Sequence, residues 1–335
     1  MPNLIRPHRL SPDVVGLLRH YVRKSRADNT RRAYASQWGA FDRWCSIQGC
    51  GSLPTEPIHV AAYLAQRAGD NAALATINVS LAAIAFAHKV SGLPFDRSHP
   101  DLALVLAGIR RVHARPTRQA EPLTGALLRK VLAALQPTPA GLRDGALLAV
   151  LYSAALRCSE ATALDWMQAG GGRGWLAMGP SHAEIVLLGS KASAGSVERV
   201  LVPVHTSPLA LRAIKRWVRH AGIRPGEPLL RPLTRGGRVG RQRLHTDSIG
   251  RIVQRVMLAH FINEGVAVDQ ALTQARRYSS HSARVGFCVS ATEAGVPAQH
   301  IAAVVRHRSL AMTTRYSRRA RMLKCAPHAR KGVGL

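Results

Sequence analysis

Residues 304–320 read VVRHRSLAMTTRYSRRA. One tyrosine, Tyr316, stands among five arginines, with His307 nine residues before it and no acid in the stretch. The imbalance runs through the whole chain, which has 47 Lys and Arg against 18 Asp and Glu over 335 residues, a formal net charge of +29. No acidic residue follows Glu293. An excess of this size predicts a polyanionic partner. An anionic membrane is the rival to nucleic acid, but no run of about 18 apolar residues is available to span one. The opening MPNLIRPHRL (1–10) also lacks the apolar segment of a signal peptide. The partner read from charge is therefore nucleic acid, not a membrane, and the expected location is the cytoplasm, on the nucleoid.

Apolar residues make up 47% of the chain, enough for two domains that each bury a core. Cys45, Cys50, Cys158, Cys288 and Cys325 follow no metal-ligand spacing and read as small buried hydrophobes in a reducing compartment. The fifteen histidines form no HxxxH or HExxH pattern, so neither a zinc site nor any other metal or cofactor is expected.

The first third reads as amphipathic helices. Tyr34, Trp38, Phe41 and Cys45 recur at helical spacing. A second helix, about 73–90, carries Leu74, Ile77, Leu81 and Ile84 on one stripe. The opposite stripe, Thr76, Ser80, Ala83 and Ala87, is small and uncharged; it suits either a DNA groove or a neighbouring helix. From 111 to 123 the period breaks around Pro116 and Pro122, as in a linker. Apolar runs at 175–178, 184–188 and 200–204, separated by Gly/Ser turns, predict a small antiparallel sheet. Helices are predicted again over about 207–221, 245–262, 282–294 and 297–304, and a last short one bears Tyr316. The cluster Gly170–Gly172 lacks the GK[ST] of a phosphate loop.

If the polyanion is a reactant, phosphodiester transfer needs a nucleophile, donors for the charge that builds on phosphorus, and a proton for the leaving oxygen. A tyrosine serves the first need, arginines the second and a lysine or histidine the third. The chain supplies them in order. ALRCSEATAL carries Arg157 and Glu160, and GSKASAG carries Lys191. HSARVG carries His281 and Arg284, within one helical turn, and RHRSLAMTTRY carries His307 and Tyr316. Taken singly each is an ordinary residue: a surface ion pair, a turn lysine, a half-buried tyrosine.

Taken together, in this order and spacing, they resemble the tyrosine recombinases, the phage-integrase family, over roughly residues 11–320. HSARVG, Ser91–Pro94 and PIHVAAYL look most like the Cre-type members. The resemblance implies a mainly α, two-domain DNA clamp. Its parts are an N-terminal helical core-binding (SAM-like) domain over 1–110, a linker over 111–123, and a mixed α+β catalytic domain over 124–335 with a small antiparallel sheet and a short C-terminal tail. It also implies the roles. Tyr316 attacks the scissile phosphate and makes a 3′-phosphotyrosyl bond; Arg157, Arg284 and His307 hold the non-bridging oxygens. Lys191 protonates the 5′ oxygen, His281 assists proton transfer at the nucleophile, and Glu160 orients its neighbours. No metal or ATP is needed. The partner is duplex DNA with inverted half-sites, bound by a homodimer and recombined in a homotetramer through a Holliday junction.

Departures from the family pattern stand out. Val305-Arg306 replaces the usual Leu-Gly before the histidine, which makes Arg306 a candidate phosphate contact. The segment GGGRGWLAMGPSHAEI is long, and only 19 residues follow Tyr316, with Met322 and Leu323 as plausible anchors for docking on a neighbour. Further phosphate contacts are sought at Arg31, Arg32, Lys89, Arg241 and Arg243, and base reading in the helix from His245, where Asp247 reads as an N-terminal cap. Relaxation of supercoils, as by type IB topoisomerases, and DNA binding without catalysis are the alternative activities.

Overall fold

The computed structural model describes residues 11–113, 119–189, 197–307, 309, 311, 313 and 314, apart from the side chains at 23 and 24. The chain divides into two compact units, residues 1–117 and 118–335.

The first unit consists of α1 (Pro12–Lys24), α2 (Asp28–Gln48), α3 (Pro57–Gly69), α4 (Leu74–Val90) and α5 (Pro100–Val112). Ser11 caps α1 through the Val14 N–H, and prolines in the first turns of α1, α3 and α5 preset φ where no intrahelical donor is needed. The stripe read from the sequence is inward: Phe41 and Cys45 are buried, and Phe41 meets Tyr63 edge-on with ring centroids 5.1 Å apart. Val60, Leu64, Ile77, Ile84 and Leu102 complete this core. The small stripe of α4 packs on α2 and does not form a surface for a groove. Ser80 is buried and donates to Gln37 Oε1 at 2.7 Å, and Ala83 is buried beside it. Buried His88 accepts from the Thr55 N–H at 3.2 Å through Nε2 and binds the Ile84 carbonyl through Nδ1 at 2.9 Å, so it acts as a structural bridge.

The second unit is built around α7 (Pro139–Ser153), buried without interruption from Arg143 to Leu151. Around it are α6 (Gly125–Ala134), α8 (Cys158–Thr162), the strands β1 (Asp165–Trp166), β2 (Gly174–Met178), β3 (His182–Leu188) and β4 (Val197–Pro203), and the helices α9 (Pro208–Ala221), α10 (Thr246–Asn263), α11 (Val268–Ala275), α12 (Ser282–Glu293) and α13 (Ala298–Val305). The sheet order is β1-β2-β3-β4. Strands β2 to β4 are antiparallel, as the alternating runs predict, but β1 pairs parallel with β2 through Asp165↔Trp175 and Trp166↔Leu176. The sheet is therefore mixed, and a two-residue strand leaves no periodic trace in the sequence.

Residues 119–123, within the stretch read as linker, lie along the second unit. The Glu121 N–H donates to the Arg277 carbonyl at 2.9 Å, the Leu123 N–H to the Ser282 carbonyl at 3.0 Å, and Leu123 is fully buried. On α10 the N-terminal cap is His245, whose ring accepts the Asp247 N–H at 3.3 Å, and not Asp247 as the sequence suggests. Among the described residues no helix is long and apolar enough to cross a membrane.

Candidate active site

After α7 the chain passes through Ala154, Ala155 and Leu156, all buried, and Ala155 takes φ 45°. That bend delivers Arg157 to the start of α8. Glu160 reaches back from the first turn of α8: its Oε2 accepts the Arg157 N–H at 2.8 Å and its Oε1 accepts Arg157 Nη1 at 2.5 Å. The LRCSE segment is thus a self-capped turn that fixes one guanidinium.

The second guanidinium comes from α12. Arg284 is 2% exposed, donating through Nη1 to the Ala155 carbonyl at 2.5 Å and through Nη2 to the Val305 carbonyl. Arg157 Nη2 donates to the next carbonyl, that of Arg306, at 3.2 Å. Two arginines separated by most of the unit's sequence thus hold successive carbonyls at the end of α13, immediately before His307. The His307 N–H donates to the Ala302 carbonyl at 3.1 Å, and its Nδ1 lies 2.8 Å from the hydroxyl of buried Thr313. His281 precedes α12 as its N-cap residue, accessible at its rim. Arg157, His281, Arg284 and His307 are therefore brought together.

The electrostatics describe a site rich in cations. Low-polarity surroundings, then the charges of Arg157 and Arg306, press the Arg284 guanidinium down to about 10, where it is still charged at neutral pH. Desolvation, with Arg284 and Arg157 next, pushes His307 down to about 4. His281 is lowered by the same causes in the same order. Burial alone would raise the carboxyl of Glu160, but Arg306 and then Arg157 hold it below the ordinary carboxylate range. A bound oxyanion would relieve this mutual repulsion, so the cluster is organised to receive negative charge. The neighbouring thiols are poor nucleophiles. Burial lifts Cys288 to about 11 and raises Cys158, whose Sγ donates to the Ser280 carbonyl at 3.1 Å.

Other expected positions differ. Arg306 does not face outward as a phosphate contact. Its side chain is 8% exposed and turns in to Glu160 Oε2 at 2.8 Å and Glu198 Oε2 at 3.3 Å. Arg243 is likewise an internal anchor, donating to the Leu164 carbonyl at 3.1 Å and pairing with Asp165, which is fully buried and also accepts the Gly170 and Gly172 N–H groups at 2.8 and 2.9 Å. Asp165 thus fixes the glycine loop. Arg31 pairs with Asp28 at 3.1 Å, and Arg32 bonds Asn29 at 2.5 Å while exposed. Lys89 and Arg241 are exposed. Lys191 and Tyr316 lie outside the described residues, as do Met322 and Leu323. The strands flanking Lys191 pair through Leu188↔Val197. Sequence reasoning missed Glu198, Asp165 and Thr313, which carry no local pattern; the one available signal was an arginine where the family has glycine.

Residues 121–322 match the Phage integrase family, more than half of the chain. An integrase/recombinase XerD homologue of Selenomonas ruminantium is 29% identical over 313 residues, spanning 90% of this chain and 85% of the relative. Among solved structures the fold resembles the Tn1549 transposon integrase in complex with transposon right end DNA (TM-score 0.56, 17% identity, 93% of this chain and 98% of that one). It also resembles a lambda integrase dimer bound to a COC′ core site (TM-score 0.53, 13% identity, 91% and 93%). The XerH site-specific recombinase bound to palindromic difH is similar too (TM-score 0.54, 13% identity, 82% and 72%). A helical unit, a catalytic-type unit with a small mixed sheet, and paired arginines gathered on the turn before a histidine agree with the match along the sequence: the chain belongs to the phage integrase family, the tyrosine recombinases.

Proposed function

We propose that this chain is a site-specific DNA recombinase in which Tyr316 attacks a scissile phosphate. The phenolic oxygen forms a 3′-phosphotyrosyl bond as the bond to the 5′ oxygen breaks. Lys191 supplies the proton that makes this oxygen a hydroxyl, and His281 helps the phenol lose its own. The phosphotyrosyl bond retains the energy of the cleaved linkage, so a 5′-hydroxyl from another strand can reverse the step without ATP, and the cations present supply the electrostatic stabilisation without a metal. Two protomers on inverted half-sites, paired in a tetramer, would exchange strands through a Holliday junction.

The observation that carries this reading is the convergence of Arg157 and Arg284 on successive carbonyls beside His307, with His281 adjacent. Guanidiniums present planar donors to phosphate oxygens and stay charged at any working pH. The test selects bound duplexes from a randomised pool and remakes the selected site with a nick that traps cleavage. A denaturing gel then scores covalent protein–DNA adduct. Wild type is expected to form the adduct and Tyr316→Phe to form none. No adduct on the selected site, or an equal yield from the phenylalanine variant, would overturn the proposal.

A further inference from the structure

Arg306 closes α13 in the left-handed region, at φ 55° and ψ 49°. A side chain is disfavoured there, and glycine is the ordinary occupant. An arginine kept in that conformation calls for compensation, and its guanidinium supplies it. Nη2 binds Glu160 Oε2 at 2.8 Å, Nη1 binds the Val304 and Ala154 carbonyls at 3.0 and 3.4 Å, and Nε faces Glu198 Oε2 at 3.3 Å. These groups belong to the first turn of α8, the end of α13, the bend after α7, and β4. All three charged side chains are largely buried, at 8%, 10% and 21% exposure.

We propose that Arg306 is a positioning residue that bolts the Glu160 turn and β4 onto the end of α13. It thereby sets the carbonyls that Arg157 and Arg284 grip, and the height of His307. Glu198 is the second residue of β4, seven after Lys191, so the same bolt anchors the strand that leads out of the lysine connection. The role rests on the reading of this cluster as a recombinase active site. It differs from phosphate binding, because the guanidinium is spent on protein oxygens inside the unit.

Glycine is the decisive substitution. Arg306→Gly removes the backbone strain, so a residue that is merely tolerated would give a variant as active as wild type or more so. A bolt predicts the opposite. At saturating DNA the single-turnover rate of adduct formation falls by about tenfold or more, the size expected when catalytic groups drift by less than an ångström, while DNA affinity holds. Glu198→Gln should slow the wild type and have no further effect in the glycine variant. Independently of DNA, the acid unfolding midpoint of Arg306→Gly should move to higher pH, since Glu160 loses the charge that does most to hold its carboxyl low. A wild-type rate in the glycine variant overturns the proposal. So does a rate loss matched by lost affinity, or a Glu198→Gln effect of equal size in both backgrounds. If the glycine variant fails to fold, Glu198→Gln alone decides, because it leaves the turn's backbone untouched: slower adduct at unchanged affinity supports the bolt, and a wild-type rate sinks it. Should wild type form no adduct, the recombinase reading falls, and the acid midpoint alone then judges the bolt.

Discussion

His307 shows how the site is set before any phosphate arrives. Free of DNA, desolvation and four neighbouring cationic or ionisable groups hold it down to about 4, against 6.5 for an ordinary imidazole. It is therefore neutral at pH 7. Below pH 6.5 the unfolded chain binds this proton and the folded chain does not, so His307 weakens the fold progressively as pH falls from 6.5 toward 4. Under the proposed function a phosphate seated among Arg157, Arg284 and His307 would reverse the local field and raise the imidazole's affinity for a proton. Binding to the recognised duplex at pH 5.5–6 should then draw protons from the buffer. Calorimetry in buffers of different ionisation enthalpy measures that uptake, and His307→Gln should reduce it. Equal uptake in the variant would remove His307 from the phosphate's surroundings.

At the scale of elements, α12 must place His281 and Arg284 while lying against residues 121–123. Gly286 makes this possible: a Cβ there would stand 1.8 Å from the Leu123 carbonyl oxygen, a backbone atom held by the hydrogen bond from Leu123 N–H to Ser282. Gly286→Ala should cost roughly 1–3 kcal/mol or more in denaturant unfolding and carry Arg284 out of place with it. The control is Gly250→Ala on α10, where nothing lies within 4 Å. There the alanine should stabilise by about 0.5–1 kcal/mol through helix propensity alone. Similar stabilities for the two variants would refute the packing account. The comparison also marks how far the sequence could be read. Apolar periodicity located α2, α4, α9, α10, α12 and α13 to within a few residues, and the motif order singled out the two guanidiniums and two imidazoles that converge. The reason for Gly286 was hidden, because its neighbour Leu123 is remote in sequence and sits in a stretch that reads as linker. The inward turns of Arg243 and Arg306 were hidden for the same reason: their carboxylates, Asp165, Glu160 and Glu198, come from distant segments, and a lone arginine in a basic chain looks the same whether it faces water or a buried acid.

Across the whole molecule a net charge of +29 makes salt the main lever on DNA binding. Each phosphate neutralised releases condensed counterions, so log Kd against log salt rises with a slope of about 0.9 per contact. The basic residues nevertheless fall into two physical classes. Arg241 and Lys89 are exposed, whereas Arg243 neutralises the fully buried Asp165. Arg241→Gln should therefore lower the salt slope by about 1 if this residue meets a phosphate, and leave unfolding free energy unchanged. Arg243→Gln should do the reverse, keeping the slope and losing stability. The loss should lie toward the lower end of the roughly 3–5 kcal/mol typical of a broken buried pair, because Asp165 keeps its Gly170 and Gly172 donors. Paired salt titrations and denaturant melts on the two variants separate binding charge from folding charge. A reduced slope with intact stability for Arg243→Gln would mean that its guanidinium leaves Asp165 for DNA, and the glycine loop it secures would then have to be held by the backbone donors alone.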